Sequence, residues 1–263
     1  MISMENVQVS FNLGSPLENH VLKGIDLNIA KHQFITVIGS NGAGKSTLLN
    51  ELAGEVIAQQ GKILLEDEDI SRLPVHQRAR WIARVFQDPL TGTCEDLSIE
   101  ENLALAHARI STRSLRRAAR TEFRAKFTRK LKSLELGLEY RLDDKIGLLS
   151  GGQRQAVSLL MAAIQPSKLL LLDEHTAALD PKTANFILKL TEEIIQSEQL
   201  TALMVTHSMN QALSVGDRTL MLHQGKIVLD VSGEQRAHMN TQDLLELFHR
   251  DHAALDDDKL MLG

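Results

Sequence analysis

The stretch Gly39-Ser40-Asn41-Gly42-Ala43-Gly44-Lys45-Ser46-Thr47 has the spacing G-x-x-x-x-G-K-[ST] of a phosphate-binding loop. It follows an apolar run, residues 34–38, and precedes a helical run, residues 48–52. The glycines let the backbone curl so that N–H groups and a helix N-terminus point at phosphate oxygens. Lys45 can bridge two phosphates, and the hydroxyl of Ser46 can ligate Mg²⁺. The alternative is a glycine turn with a chance lysine, but the flanking strand and helix favour the loop.

The composition is typical of a globular protein and limits the function classes. The 263 residues are 43% hydrophobic and 24% charged, with a net charge of −5, which argues against general nucleic-acid binding. The single cysteine, Cys94, excludes an internal disulfide and suits a reducing compartment. The first residues lack a secretory signal, and no apolar run is long enough to cross a bilayer. We therefore expect any membrane role to come through a partner.

Two alternating runs, residues 2–11 and 21–29, predict strands of a small antiparallel sheet because neither belongs to a β-α-β pattern. Phe11 is the aromatic residue that we would place against an adenine ring. The alternative is that Phe11 is a core residue of its strand. Further along, residues 82–86 predict a strand that ends at Gln87, just before the break at Pro89.

The stretch from Arg109 to Lys132 carries ten basic residues and one acid. Helical spacing places five arginines on one face, namely Arg113, Arg116, Arg117, Arg120 and Arg124. The commonest interpretation is a solvated face. The alternatives are a surface for anionic lipid headgroups and, less favoured because few aromatic residues are interleaved, an RNA surface.

A second possible anion site is Leu149-Ser150-Gly151-Gly152-Gln153, where Ser150 is a natural N-cap and the helix start leaves backbone N–H groups open. The run 169–172 is four leucines, followed by Asp173 and Glu174. Unbroken apolarity predicts a parallel strand buried on both faces, whose carboxyl end is where α/β proteins bind ligands. Asp180 is predicted to cap the next helix, and His207 follows another buried strand, residues 200–206.

These motifs, in this order and over about residues 2–235, resemble the ATP-binding cassette (ABC) ATPase family. The resemblance implies an α/β fold: a P-loop core with a parallel sheet, an N-terminal antiparallel β subdomain and an inserted α-helical subdomain. We expect one domain over 1–263. Its expected parts are a core at about 1–88 and 165–235, a helical subdomain at 89–164, and a C-terminal helix and mobile acidic tail at 236–263.

The resemblance also implies ATP and Mg²⁺ as cofactors. Residues 39–47 would be the Walker A loop, Ser150, Gly151, Gly152 and Gln153 the signature motif, and Asp180 part of the D-loop. Phe11 would stack on adenine. Mg²⁺ would be held by Ser46, Gln87 and Asp173.

In the implied reaction, Glu174 would be the general base for attack of water on ATP, with Lys45, Gln87 and His207 also at the reacting phosphate. Two features depart from the family pattern. His175 replaces the usual proline after the glutamate, which puts the loop geometry in doubt. The helix after the signature motif, residues 156–164, lacks an arginine often found there.

The resemblance implies partners as well. Two chains would sandwich two ATP molecules, and a separate integral-membrane permease would dock near Gln87 and residues 90–110. The chain resembles ATPase subunits of bacterial amino-acid-type importers, a setting that also allows a solute-binding protein. It would then lie on the cytoplasmic face of the membrane. The alternatives are an exporter subunit and a soluble, non-transport ABC ATPase; no nucleic-acid partner is expected.

Overall fold

The structure is a computed structural model and describes residues 1–110 and 121–246. Ten strands are present in this part of the chain: β1 Ile2–Phe11, β2 Asn19–Ile29, β3 Phe34–Gly39, β4 Gln60–Leu65, β5 Glu68–Asp69, β6 Ile82–Val85, β7 Leu169–Asp173, β8 Ala202–Val205, β9 Arg218–His223 and β10 Lys226–Ser232. The α-helices are α1 Lys45–Ala53, α2 Val75–Arg78, α3 Ile99–His107, α4 Thr121–Lys132, α5 Gly151–Ala163, α6 Pro181–Ser197, α7 Met209–Ser214 and α8 Gly233–Ala237.

The N-terminal strands form the predicted antiparallel sheet, in the order β2-β1-β4-β5. Met4 of β1 pairs with Leu27 of β2 on one side and with Ile63 of β4 on the other. All three side chains are buried. The alternation of apolar residues that predicted these strands therefore corresponds to one buried face.

The second sheet has the order β10-β9-β3-β8-β7-β6. Five of its strands are parallel, and β10 closes it as the antiparallel partner of β9. This is the expected α/β architecture, with the antiparallel hairpin of β9 and β10 at its edge. Strands β3, β7 and β8 lie inside the sheet, so their carboxyl ends meet at one edge.

Strand β7 is buried on both faces, as its four leucines predict. Leu169 and Leu171 pack in one hydrophobic cluster with α1 and the antiparallel sheet. Leu170 and Leu172 pack in another, which is formed with helices α3 to α6. All four side chains are fully buried. The strand that carries the two candidate carboxylates is therefore held by two separate cores.

Helices α3, α4 and α5 lie between β6 and β7 in the chain and share one buried cluster with the sheet. Helix α4 ends at Lys132, and soon after it Glu135 and Gly137 have φ of 54° and 69°. Both values are incompatible with a continuing right-handed helix. The assignment of residues 89–164 to a separate helical subdomain stays a prediction.

The basic face is mostly outside the described residues, since residues 111–120 are not described. Its last member, Arg124, is described, and its guanidinium pairs with the carboxylates of Glu100 and Asp143. Arg124 is thus already engaged within the chain.

A buried arginine fastens the short helix α2 to the end of α1. The Arg78 guanidinium donates hydrogen bonds to the carbonyl oxygens of Leu73, Ser71, Leu52 and Glu51. Its Nη2 also lies 4.0 Å from Oε1 of the Glu51 carboxylate, and both side chains are fully buried. Burial raises the pKa of Glu51 to about 7, against the opposing effect of Arg78.

Helix α8 was not predicted, because it is short, begins at a glycine and buries none of its residues. Residues 241–246 are helical, in line with the C-terminal helix expected within 236–263; residues 247–263, including the acidic tail, lie outside the described residues. Within residues 1–110 and 121–246, no helix combines the length and apolar character that a bilayer span requires.

Candidate nucleotide-binding site

A cleft of about 540 Å³ opens where the phosphate-binding loop meets the carboxyl ends of the parallel strands. It brings together residues that are far apart in the sequence. The lining consists of Phe11, Asn19, Val21, Asn41, Gly42, Ala43, Gly44, Lys45, Ser46, Thr47, Glu174 and His207. Most of the predicted site residues of the loop, the candidate base and the histidine therefore share one cleft.

The loop closes tightly onto its neighbours, which explains two of its glycines. Gly44 has φ of 103°, and a Cβ there would lie 2.9 Å from Cδ2 of Leu22. Gly39 has φ of 153°, and a Cβ there would lie 2.2 Å from the carbonyl oxygen of Leu222. Only glycine suits such positions. Helix α1 starts at Lys45 with no side-chain cap, so its first-turn N–H groups remain available to an anion.

Lys45 is buried in the loop that it would serve. Its Nζ donates to the carbonyl oxygens of Gly39, at 2.9 Å, and Ser40, at 3.1 Å. Burial lowers the pKa of Lys45, and the charges of Glu174 and Asp173 oppose that shift. The ammonium group thus lies within the electrostatic reach of both carboxylates, beside the space for a phosphate.

Glu174 and His207 are brought together from the ends of neighbouring parallel strands. Oε1 of Glu174 lies 2.6 Å from Nε2 of His207, and the side chains are 12% and 48% exposed, respectively. The backbone N–H of Glu174 donates to the carbonyl of Val205, the last residue of β8. A carboxylate held between the sheet and an open cleft is well placed to receive a proton from a water molecule.

Glu174 has an unusual backbone conformation, with φ of 46°. The following residue, His175, is fully buried, and its Nε2 lies 2.9 Å from Oγ1 of Thr191 on α6. Burial lowers the pKa of His175 to about 4, so the imidazole is neutral near neutral pH. In this chain, therefore, the residue in place of the usual proline is a buried histidine that anchors the loop to α6.

Asp173 and Gln87 lie next to this cleft, in a neighbouring one of about 390 Å³. The lining there consists of Phe86, Gln87, Asp88, Pro89, Thr91, Asp173 and Ala178. Gln87 does not line the phosphate-loop cleft. Its predicted contact with Mg²⁺ stays a prediction.

Sequence reasoning missed the partner of Asp173. Nη2 of Arg84, on β6, lies 2.6 Å from Oδ2 of Asp173. The available signal was a charged residue inside an otherwise buried strand, since such a charge needs a partner. The partner itself lies 89 positions away, beyond what local patterns reveal.

Phe11 lies at the rim of the phosphate-loop cleft and is 40% exposed. It is therefore not a fully buried core residue. Its ring is accessible to a flat ligand, and stacking on adenine stays a prediction.

The serine-glycine helix tip is formed as expected but lies outside the phosphate-loop cleft. Ser150 caps α5: its Oγ accepts from the N–H of Gln153 at 3.3 Å, while the Gln153 side chain accepts from the N–H of Ser150 at 3.2 Å. A Cβ at Gly152 would lie 2.3 Å from Cγ2 of Thr183, and Thr183 donates its N–H to Asp180, the cap of α6. The signature residues and Asp180 are therefore neighbours, and both lie outside the phosphate-loop cleft of their own chain.

Oxygen donors suited to Mg²⁺ are present at the Ser46 hydroxyl and the Asp173 carboxylate. Within the described part of the chain, no group of three or more His, Cys, Asp or Glu residues could hold a metal by itself. This donor set fits Mg²⁺, which is usually held by one or two protein oxygens together with substrate phosphates and water.

The fold and this cleft define a nucleotide-binding α/β protein of the phosphate-loop class. The family model described as ABC transporter matches residues 22–177. A tyrosine transport ATP-binding protein of Clostridioides difficile is 40% identical, over 94% of this chain and 98% of that protein. A thiamine import ATP-binding protein of Haemophilus ducreyi is 36% identical, over 78% of this chain and 90% of that protein.

Among solved structures, a dimeric ATP-binding cassette in a post-hydrolysis state with ADP and Pi has a TM-score of 0.74 and 27% identity. The match covers 88% of this chain and 98% of that one. The chain therefore belongs to the ABC transporter family and is an ATP-binding ATPase. The family resemblance seen in the sequence is confirmed.

Proposed function

We propose that this chain is the ATPase subunit that powers uptake of a small solute, with an amino acid as the favoured class, through a separate membrane permease. The observation that carries the proposal is the shared cleft of Lys45, Ser46, Glu174 and His207 in a chain 40% identical to a tyrosine transport ATP-binding protein. The subunit would lie on the cytoplasmic face of the membrane through its permease. A solute-binding protein is a further proposed partner.

The side chains have separate tasks in the proposed hydrolysis of ATP. The loop N–H groups and Lys45 bind and orient the triphosphate. Glu174 orients the attacking water and accepts its proton. His207 holds the Glu174 carboxylate through Nε2 and contacts the phosphate. Ser46 and Asp173 would hold Mg²⁺, which would neutralise negative charge on the phosphates when bound.

Two copies of the chain are proposed to complete each site. The signature tip at Ser150 and the neighbouring Asp180 are outside the phosphate-loop cleft of their own chain. A dimer would allow each tip to reach the triphosphate bound by the partner. The capping box occupies the N–H groups of Ser150 and Gln153, which leaves those of Gly151 and Gly152 at this helix N-terminus for an anion. The dimeric cassette with ADP and Pi supports this arrangement.

The first test is the Glu174→Gln variant, which keeps the shape of the side chain and removes the base. We expect nearly normal ATP binding, loss of turnover by at least 10²-fold as an order of magnitude, and an ATP-dependent dimer in gel filtration. Glu193→Gln, a change on α6 outside the cleft, is the matched control. Normal turnover in Glu174→Gln would show that Glu174 is not the general base.

The second test addresses transport. The chain is reconstituted in vesicles with a candidate amino-acid permease, and radiolabelled amino acids are supplied on the side opposite to ATP. Uptake that needs both ATP and Glu174 is expected. ATP-driven movement in the other direction would indicate an exporter, and ATPase activity indifferent to every permease would favour a soluble, non-transport role.

A further inference from the structure

The edge strand β6 carries one charged side chain, Arg84, which is largely buried between the sheet and the end of α1. The parallel register pairs Arg84 with Leu171, so Arg84 lies on the same face of the sheet as Leu171 and, two residues on, Asp173. This face packs against α1, the helix that directly follows the phosphate-binding loop. Arg84 therefore stands between the loop's helix and the candidate metal-binding carboxylate.

Three acceptors hold the guanidinium in one place. Nη2 lies 2.6 Å from Oδ2 of Asp173, and Nη1 lies 2.8 Å from both Oδ1 of Asn50 and Oε2 of Glu55. The cation also lies over the ring of Phe86, with Cζ 4.8 Å from its centroid. The Arg84 side chain is 11% exposed and that of Asp173 is 16% exposed, so water screens this pair only weakly.

The pairing leaves one carboxylate oxygen of Asp173 for another ligand. Arg84 occupies Oδ2, and within the described residues no hydrogen-bond donor occupies Oδ1. A carboxylate held at one oxygen by a fixed cation keeps one rotamer, so that its other oxygen faces a defined direction. Groups that orient metal ligands in this way commonly contribute 10–100-fold to metal affinity or activity.

We propose that Arg84 is a positioning residue for the metal site: it fixes Asp173 against the phosphate-loop helix and thereby sets how strongly Mg²⁺ tightens nucleotide binding. This inference rests on the proposed role of Asp173 as a Mg²⁺ ligand. In this role Arg84 acts through Asp173 and needs no contact of its own with nucleotide or metal. Its effect is carried by Asp173 on one side and by Asn50 and Glu55, at the end of α1, on the other.

The test is the ratio of ATPγS dissociation constants in EDTA and in MgCl₂, measured by isothermal titration calorimetry on the full chain. We expect Arg84→Met to reduce this ratio by about tenfold or more while binding in EDTA changes little. Arg84→Lys, which keeps a charge but cannot span all three acceptors, should restore part of the ratio. Because the affinity for nucleotide in MgCl₂ falls, steady-state kinetics should show that Arg84→Met raises the KM for ATP by a similar factor.

One control variant tests the specificity of the effect. Arg80→Met removes a nearby arginine that pairs with Glu68 at the surface and should leave the ratio within about twofold of the wild-type value. If Arg84→Met and Arg84→Lys both keep the wild-type ratio, Arg84 is merely a clamp for the fold, and the proposal is overturned. If Arg84→Met does not fold, the Arg84→Lys ratio decides: a value equal to wild type rejects the proposal.

The Asp173→Asn variant shows whether a negative result rejects only the role of Arg84 or also the proposed role of Asp173 as a Mg²⁺ ligand. A wild-type ratio in Asp173→Asn would show that Asp173 does not act on Mg²⁺, and both proposals would fall. A reduced ratio in Asp173→Asn together with a wild-type ratio in the Arg84 variants would remove only the role of Arg84.

Discussion

Oε1 of Glu174 and Nε2 of His207 are 2.6 Å apart, although 33 positions separate the two residues in the sequence. The contact exists because β7 and β8 are adjacent parallel strands that end at the same level, with Asp173 paired to Val205. A pair at this distance in an open cleft can pass a proton or share a phosphate ligand.

Replacing His207 with alanine should lower kcat for ATP hydrolysis by about 10²-fold, because the carboxylate of Glu174 loses its partner and the phosphate a contact. Nucleotide affinity should change by less than about threefold. The measurement is release of phosphate under saturating ATP, with His76→Ala, an exposed histidine on α2, as the control. Equal rates in wild type and His207→Ala would exclude His207 from the reaction.

Replacing Lys45 with alanine should weaken ATP binding by about 10–100-fold, since a buried, charge-assisted contact with phosphate is worth about 1.5–3 kcal/mol. Titration with a fluorescent ATP analogue measures the change. Lys31→Ala, an exposed lysine outside the cleft, provides the comparison. Unchanged affinity would place the triphosphate elsewhere.

Replacing His175 with glutamine should make stability less dependent on pH. Unfolded His175 binds a proton below pH 6.5, whereas burial holds the folded pKa at about 4. The wild-type protein therefore loses stability as the pH falls through this interval, by about 2 kcal/mol at pH 5 relative to pH 7.

Glutamine can still bond to Thr191 but does not titrate, so the variant lacks that loss. Urea denaturation of both proteins at the two pH values measures the difference. Carboxylates elsewhere affect both proteins equally and cancel in the comparison. Parallel pH curves for the two proteins would show that His175 is not the titrating group.

Replacing Arg78 with methionine should destabilise the fold by about 3–5 kcal/mol, because Glu51 would be left as a buried charge without its partner. Four carbonyl oxygens would also lose a donor. Arg80→Met is a close control, since the pair of Arg80 with Glu68 is about half exposed and contributes about 0–1 kcal/mol. Urea denaturation at pH 8, above the pKa of about 7 that Glu51 has beside Arg78, should separate the two variants clearly; similar losses would refute the account.

Local pattern was enough to predict the elements that bury regular apolar faces. The four leucines before Asp173 indicated a strand buried on both sides, and the glycine spacing at residues 39–47 indicated the loop and its helix. The motif order then indicated the family. These signals are readable because periodicity reports burial within a single element.

The contacts that hold the site together were not predictable in the same way. Arg84 and Asp173 meet through the pairing of β6 with β7, and Arg78 reaches the end of α1 from a helix of four residues. Such polar contacts depend on where distant elements pack, which one sequence does not reveal. The separation of Ser150 from the phosphate-loop cleft followed from the family resemblance, which implies two chains around each ATP, and not from any local pattern.

That separation has a genetic consequence under the proposed two-fold assembly. A mutant subunit with a defective helix tip can still dimerise with a wild-type subunit. It then inactivates the ATP site of that wild-type subunit. In a cell that makes both forms, mutant alleles at Ser150 would therefore be dominant, and the loss of transport would exceed the fraction of mutant gene product.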